Sequence, residues 1–383
     1  MGPSSALPCQ RPLFDIPDDV SYLNCAYMSP LPRASLQAGI DGLSKKSRPW
    51  HITAPDFFST CEAVRTEAGR LLGSTANHIA LVPSASYGIA VAAKNMRAQK
   101  GQTIIVLAEQ YPSNIYAWRR LAADTGALIR TVARPDDGNW TPGILNEINE
   151  RTAFAALPQC HWTDGSVIEL ITVRDALDAV GAGLVLDLTQ SLGAMHLDLS
   201  GIRPDFAVAA AYKWLLGPYS TGLLYVDPRH HEGKPLEEHA YPRKNAVDFR
   251  NLVDYREDFE PGARRFDVGE MANFGLLPAL LSSLRQINTW GVEQIANSVS
   301  CLTDQIAELA QDAGYVLARK ENRAPHFIGL RSRSGLPDDL ASRLAERGVF
   351  VSLRGDALRV TPHLYNNNAD IQKLFVELSR LSL

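Results

Sequence analysis

Long apolar runs are missing from this chain. No stretch of its 383 residues approaches the roughly 20 apolar residues that a membrane span needs. Neither sign of charge dominates. Lys plus Arg number 38 against 42 for Asp plus Glu, a net charge of −4. That balance gives no electrostatic footprint for nucleic acid and argues against an anionic membrane surface. Cysteine is sparse, odd in number and scattered (Cys9, Cys25, Cys61, Cys160, Cys301), and no CxxC occurs. Neither a disulfide framework nor a structural zinc site is therefore expected. His230-His231 has no acidic or cysteine partner at metal spacing, so it reads as a solvated turn and no metal is expected. The N-terminus lacks a basic start followed by an apolar core, so no signal peptide is expected. Repeats and low-complexity tracts are absent. These absences point to a reduced, cytoplasmic protein.

What is present is globular: 45% hydrophobic and 21% charged residues. At about 150 residues per domain, the length suggests two or three domains. The first thirty-odd residues, rich in Pro and Asn, read as an extended arm. Phe57 to Leu72 reads as a helix with Cys61, Val64, Ala68 and Leu71 on one face. Short apolar runs then alternate with helical patterns: Ile79–Val82, Thr103–Leu107, Ala127–Val132, Ala153–Leu157, Gly183–Leu188, Phe206–Ala211 and Gly222–Val226. The last two are joined by a loop. Buried strands alternating with helices imply an α/β fold with a mainly parallel sheet covered on both faces. The tail mixes strands and helices as a smaller α+β domain would, and Glu232–Pro261 reads as the linker.

In open α/β sheets, ligands sit beyond the carboxyl ends of the strands. Four groups of polar residues stand at such ends. Ser84-Ala85-Ser86 follows the strand IALVP and opens a helix, which suits an anion; the plain alternative is an N-cap worth about 1 kcal/mol. Asp187 ends LVLD, with Gln190 just beyond. It is either a turn cap or the carboxylate that keeps a pyridine nitrogen protonated. Lys213 ends FAVAAAYK. Burial there lowers a lysine pKa and suits Schiff-base chemistry; the alternative is a lysine that snorkels to solvent. Arg359, with Arg354 before it, stands in SLRGDALRVT and can clamp a carboxylate bidentately; a surface arginine is the alternative. An anion cradle, a ring-nitrogen Asp, a Schiff-base Lys and a carboxylate clamp are together what pyridoxal 5'-phosphate and an amino acid need.

Here the chain resembles the class V aminotransferase group of fold-type I pyridoxal-phosphate enzymes. That group includes cysteine desulfurases, kynureninases and isopenicillin-N-epimerase-like proteins. The resemblance runs from YLNCAYMSPLP (Tyr22–Pro32) to LRVTPHLYN (Leu358–Asn366), and DLTQSLGAMHLD followed by AAYKW is its most specific part. It implies a large domain over 51–260 with a seven-stranded, mainly parallel sheet. It also implies a small α+β domain over 261–383, joined by an N-terminal arm over 1–50. By the same resemblance, Lys213 is the internal aldimine lysine, Asp187 the pyridine-nitrogen partner and Gln190 the residue near the ring hydroxyl. Ser84, Ala85 and Ser86 form the phosphate loop, Tyr111 stacks on the ring, and Tyr212 meets the phosphate as in kynureninases. Thr163 and Asp164 stand near the ring hydroxyl or substrate. Arg359, with Asn24 and Tyr27 of the arm, holds the substrate. Family members are homodimers with a shared active site, and Asn273 is placed to reach the partner's phosphate.

Two departures stand out. Desulfurases carry a nucleophilic Cys shortly before the carboxylate arginine, and SLRGDALRVT has none, so a persulfide route is not expected. Relatives have Gly-Thr where this chain has Gly269-Glu270, and a Glu facing a phosphate would repel it. The resemblance implies an external aldimine with a small amino acid and a Cα carbanion, with Lys213 as general base. Transamination and Cα–Cβ or Cβ–X lyase chemistry rank equal, with epimerisation behind. The non-enzyme alternative is a cofactor-binding sensor or an inactive homologue.

Overall fold

In the computed structural model of this chain, residues 6–381 are described; positions 1–5 of the expected arm lie outside them. In chain order come β1 (Ser21–Tyr22), α1 (Arg33–Ser44), α2 (Ser59–Leu71), β2 (Ile79–Val82), α3 (Ala85–Asn95), β3 (Thr103–Leu107), α4 (Tyr116–Thr125), β4 (Leu128–Val132), α5 (Thr141–Glu147), β5 (Thr152–Pro158), α6 (Leu170–Ala179), β6 (Gly183–Asp187), α7 (Leu199–Ile202), β7 (Phe206–Ala210) and β8 (Gly222–Val226). They are followed by α8 (Leu276–Trp290), α9 (Val292–Asp312), β9 (Ile328–Leu330), α10 (Leu340–Ala345), β10 (Val349–Phe350), β11 (Ser352–Arg354), β12 (Ala357–Val360) and α11 (Asn368–Arg380).

The seven apolar runs form one sheet in the order β2-β8-β7-β6-β5-β3-β4. Its pairs are parallel except the two that β8 makes. The exception has a simple cause. The β7–β8 connection contains no helix, so the chain turns straight back and runs antiparallel. Alternate residues of each strand enter different cores. On β5, Ala155 and Leu157 face one layer and Phe154 and Ala156 the other. Burial on both faces is what makes the inner runs so apolar; the edge strand β4 is largely exposed.

The small part holds the antiparallel sheet β11-β12-β9, and β1 joins it by pairing in parallel with β10. Its boundary differs from the expected one at 261. Leu277, Leu280, Leu284 and Ile287 of α8, with Ile295 and Val299 of α9, belong to the large core. The small core takes over at Ile306, about two-thirds of the way along α9. The reason is close packing of α8 on α1, where a Cβ at Gly42 would meet the Phe274 carbonyl oxygen at 2.0 Å. The expected linker 232–261 instead packs back on the large part, with Phe249 and Tyr241 against Phe57. His230 is not a solvated turn residue: it is half-buried and meets Asp205 at 2.7 Å. Among the described residues, no helix is long and apolar enough to cross a membrane.

Candidate active site

Strand register gathers the predicted residues. Val82 of β2 and Ala210 of β7 both oppose Gly222 of β8. Asp187 opposes Pro158 on one side and Val208 on the other. The loops leaving β2, β5, β6 and β7 therefore open at one edge of the sheet, the crevice where such folds bind ligands. Gly88 tightens this corner, because a Cβ there would meet Val208 Cγ2 at 2.5 Å. Its absence lets α3 lie directly on β7.

Lys213 follows β7 by three residues and is 6% exposed. Among the described residues its ammonium has neither an ion-pair nor a hydrogen-bond partner. Burial first, then Arg359, pull its pKa down to about 8, against the opposing pull of Asp187. Asp187 is 7% exposed. Its Oδ1 accepts the Thr189 amide at 3.0 Å, no cation lies within ion-pair distance among the described residues, and burial raises its pKa. Both line one cavity with Gln110, Tyr111, Asn114, Trp162 and Gln190. The loop carrying Lys213 is held in a strained shape. Leu216 has φ +52, which costs about 1–3 kcal/mol for a non-glycine residue. Its amide donates to the Lys213 carbonyl at 3.0 Å. Its own carbonyl accepts from Ser283 Oγ of α8 at 2.7 Å.

A second cavity adjoins the first through Lys213, Tyr111 and Trp162 and is also lined by Tyr27, Tyr212, Arg354 and Arg359. The rings of Tyr111 and Tyr212 lie 5.5 and 5.4 Å from Lys213 Nζ. Arg359 is 2% exposed. It donates from Nε to Ser352 Oγ at 2.9 Å and from Nη1 to the Trp162 carbonyl at 3.0 Å. Burial, then Arg354, lower its pKa to about 9, so it stays charged at neutral pH.

Other expected residues fall outside the two cavity walls. Asn24 accepts from Ser352 Oγ at 3.0 Å and so steadies Arg359 from behind. Asp164 is corrected outright. Its Oδ2 takes Arg134 at 2.6 Å and Arg331 at 2.8 Å, while its Oδ1 takes Ser166. Burial would raise its pKa, but His161, Arg134 and Arg331 outweigh that and hold it at about 2. A carboxylate so saturated has nothing left for a cofactor. Thr163 serves the same cluster through Arg134. Ser84 is the N-cap of α3, accepting from the Tyr87 amide at 3.1 Å, and its hydroxyl meets that of Ser86 at 2.9 Å. The cap leaves the Ala85 and Ser86 amides without an acceptor among the described residues. Asn273 is exposed and caps α8 through Gly275 and Leu276. Glu270 is exposed, with φ +56.

Sequence reasoning missed Asn114, Trp162 and Thr189. Asn114 is fully buried, and its Nδ2 has no partner beside the first cavity. It stands inside EQYPSN, three residues after Tyr111. An asparagine in a turn is unremarkable in sequence; burial with a free donor is what singles it out. Cys160 lines the first cavity, but burial pushes its thiol pKa up, as it does that of Cys25. Neither is a ready thiolate. The hairpin β11–β12 closes in two residues, Gly355 and Asp356, and carries no cysteine.

The family model described as aminotransferase class V matches residues 30–374. The chain belongs to that family. It is 24% identical to the uncharacterized aminotransferase YcbU of Bacillus subtilis (strain 168), over 92% of this chain and 91% of that protein. It is 25% identical to a kynureninase of Deinococcus radiodurans, over 94% and 90%. Among solved structures it resembles a mutant of C-DES with glycine covalently linked to the PLP cofactor. The TM-score there is 0.87 at 16% identity, covering 97% of this chain and 99% of that one. That likeness carries the fold.

Proposed function

We propose that this chain is a pyridoxal-phosphate-dependent enzyme that removes the Cα proton of a small α-amino acid. One observation carries the reading: a buried, unpartnered lysine with its pKa drawn toward neutrality shares a cavity with a buried aspartate that no cation answers among the described residues. Buried charges without partners are unfavourable unless a ligand answers them. The donor set fits this cofactor. Lys213 suits its aldehyde, Asp187 its pyridine nitrogen, and Tyr111 the face of its ring. The free Nδ2 of Asn114 and the free amides that open α3 suit its polar rim and phosphate. When bound, the cofactor links covalently to amines and draws electrons from Cα.

The residues divide the work. Asp187 holds a proton at the ring nitrogen. Arg359, braced by Ser352 and Asn24, fixes the substrate carboxylate and so orients the Cα–H bond. Lys213 takes the proton from Cα, helped by the burial that draws its pKa down. Returning that proton elsewhere gives transamination, and expelling a Cβ substituent gives a lyase; both begin with this step. A persulfide-forming route is disfavoured by the neutral thiols and the short hairpin.

A second copy of the chain completes the reading. Leu36, Ile40 and Leu43 form one stripe on α1, exposed by 50, 50 and 64%. Helical spacing puts them on one face, which suits burial in a homodimer beside the site. Sedimentation should report a dimer.

The test of function is an absorbance scan of protein loaded with pyridoxal phosphate. A visible-edge band that borohydride removes, and that Lys213→Ala lacks, is the expected result. No band in loaded protein would overturn the reading. A screen of amino acids for ammonia, pyruvate or sulfide release against conversion of the cofactor to its amine form then separates lyase from transaminase.

A further inference from the structure

Arg354 was not needed for any step above, yet it faces the substrate side of the site. Register explains why. Ser352 opposes Arg359 across the β11–β12 hairpin, and Arg354 lies two residues along from Ser352. Side chains two apart on a strand share a face. The two arginines are thus diagonal neighbours, with roots roughly 7–8 Å apart, and both line the second cavity.

That cavity has cations and no acids. Lys213, Arg354 and Arg359 all stand in its wall, and no Asp or Glu does. Neither arginine has an ion-pair partner among the described residues. Arg354 donates from Nη1 to the neighbouring Leu353 carbonyl at 2.6 Å and lies 6.0 Å over the Tyr27 ring. Asp356, the acid of the same hairpin, is instead held by Arg331 at 2.9 Å. Two guanidiniums of like charge are therefore kept together with nothing to neutralise them. A substrate bringing only an α-carboxylate answers one of them.

We propose that Arg354 is a specificity-determining residue, and that the substrate is an α-amino acid with a second anionic group on its side chain. Arg359 takes the α-carboxylate and Arg354 the side-chain acid. Planar, bidentate recognition is what arginine provides and lysine does not. This inference rests on the pyridoxal-phosphate reading and adds the substrate class to it.

The test is spectral titration of the loaded enzyme with matched pairs: aspartate against asparagine, glutamate against glutamine, and cysteine sulfinate against alanine. The acid of at least one pair should bind at least about ten-fold more tightly than its neutral partner. In Arg354→Gln that ratio should collapse toward one, and Arg354→Lys should restore part of it. The cofactor band and melting temperature certify that each variant is folded and loaded. Equal binding within every pair, or an unchanged ratio in Arg354→Gln, overturns the proposal while leaving the cofactor reading intact. A protein that shows no borohydride-sensitive band brings down both.

Discussion

Arg65 and Asp267 are buried completely, and so, nearly, are Lys213 and Asp187, but the two pairs are built differently. Arg65 and Asp267 meet as a bidentate ion pair. Asp267 also accepts the Leu81 amide at 2.8 Å, and Arg65 reaches the Ile79 carbonyl at 2.7 Å and Glu62 at 3.1 Å. That cluster ties α2 to β2 and to the segment before α8, and every strong donor and acceptor is answered. Lys213 and Asp187 share a cavity without bonding to each other. A fold that stores charge for its own sake saturates it. A fold that keeps charge for a visitor leaves it open and tolerates the desolvation.

The contrast breaks most visibly at Lys213. Lys213→Ala should lower turnover by at least about 10³-fold and abolish the borohydride-sensitive band, while urea unfolding of the cofactor-free protein shows no loss of stability. Turnover near the wild-type value would end the distinction. Asp267→Asn should do the reverse. It strands a buried guanidinium and should destabilise the fold by about 3–5 kcal/mol in the same unfolding experiment, with the band intact in whatever remains folded. Asn24→Ala sharpens the picture at smaller scale. Losing the acceptor that steadies Ser352 and Arg359 should raise KM several-fold more than it lowers kcat, an effect of about 1 kcal/mol. An equal fall in kcat alone would argue that Asn24 does something else.

The same contrast has a pH signature. Burial lowers the Lys213 pKa to about 8 in the folded, cofactor-free protein, whereas in the unfolded chain it is about 10.4. Between those values the unfolded state holds a proton that the native state has lost, so stability rises with pH across that window. The rise should vanish in Lys213→Met. The rate of cofactor uptake should follow the free amine, with a midpoint near 8 rather than above 10.

Much of this was legible in the sequence because the signals were local. The seven apolar runs became the seven strands, and the missing helix before Gly222 marked the one antiparallel strand. Lys213 and Asp187 were found because a charge closing a buried run is unusual. Asp164 misled for the same reason in reverse. Its neighbours along the chain suggested the cofactor, but Arg134 and Arg331 come from 30 and 167 residues away, and no local pattern announces them. The boundary of the small part failed likewise, since the stripe on α8 does not say which core it enters. Asn114 stands three residues from Tyr111 and still gives no local signal, because the meaning of an amide lies in what surrounds it.

The clasp on Asp164 has a mechanical meaning. Arg134 follows β4 of the large part and Arg331 follows β9 of the small one, and both grip the same oxygen. Swinging the small part outward would break that grip in a buried setting. The clasp therefore pins the small part to the large one beside the second cavity, whose wall includes the exposed rings of Tyr27 and Tyr219.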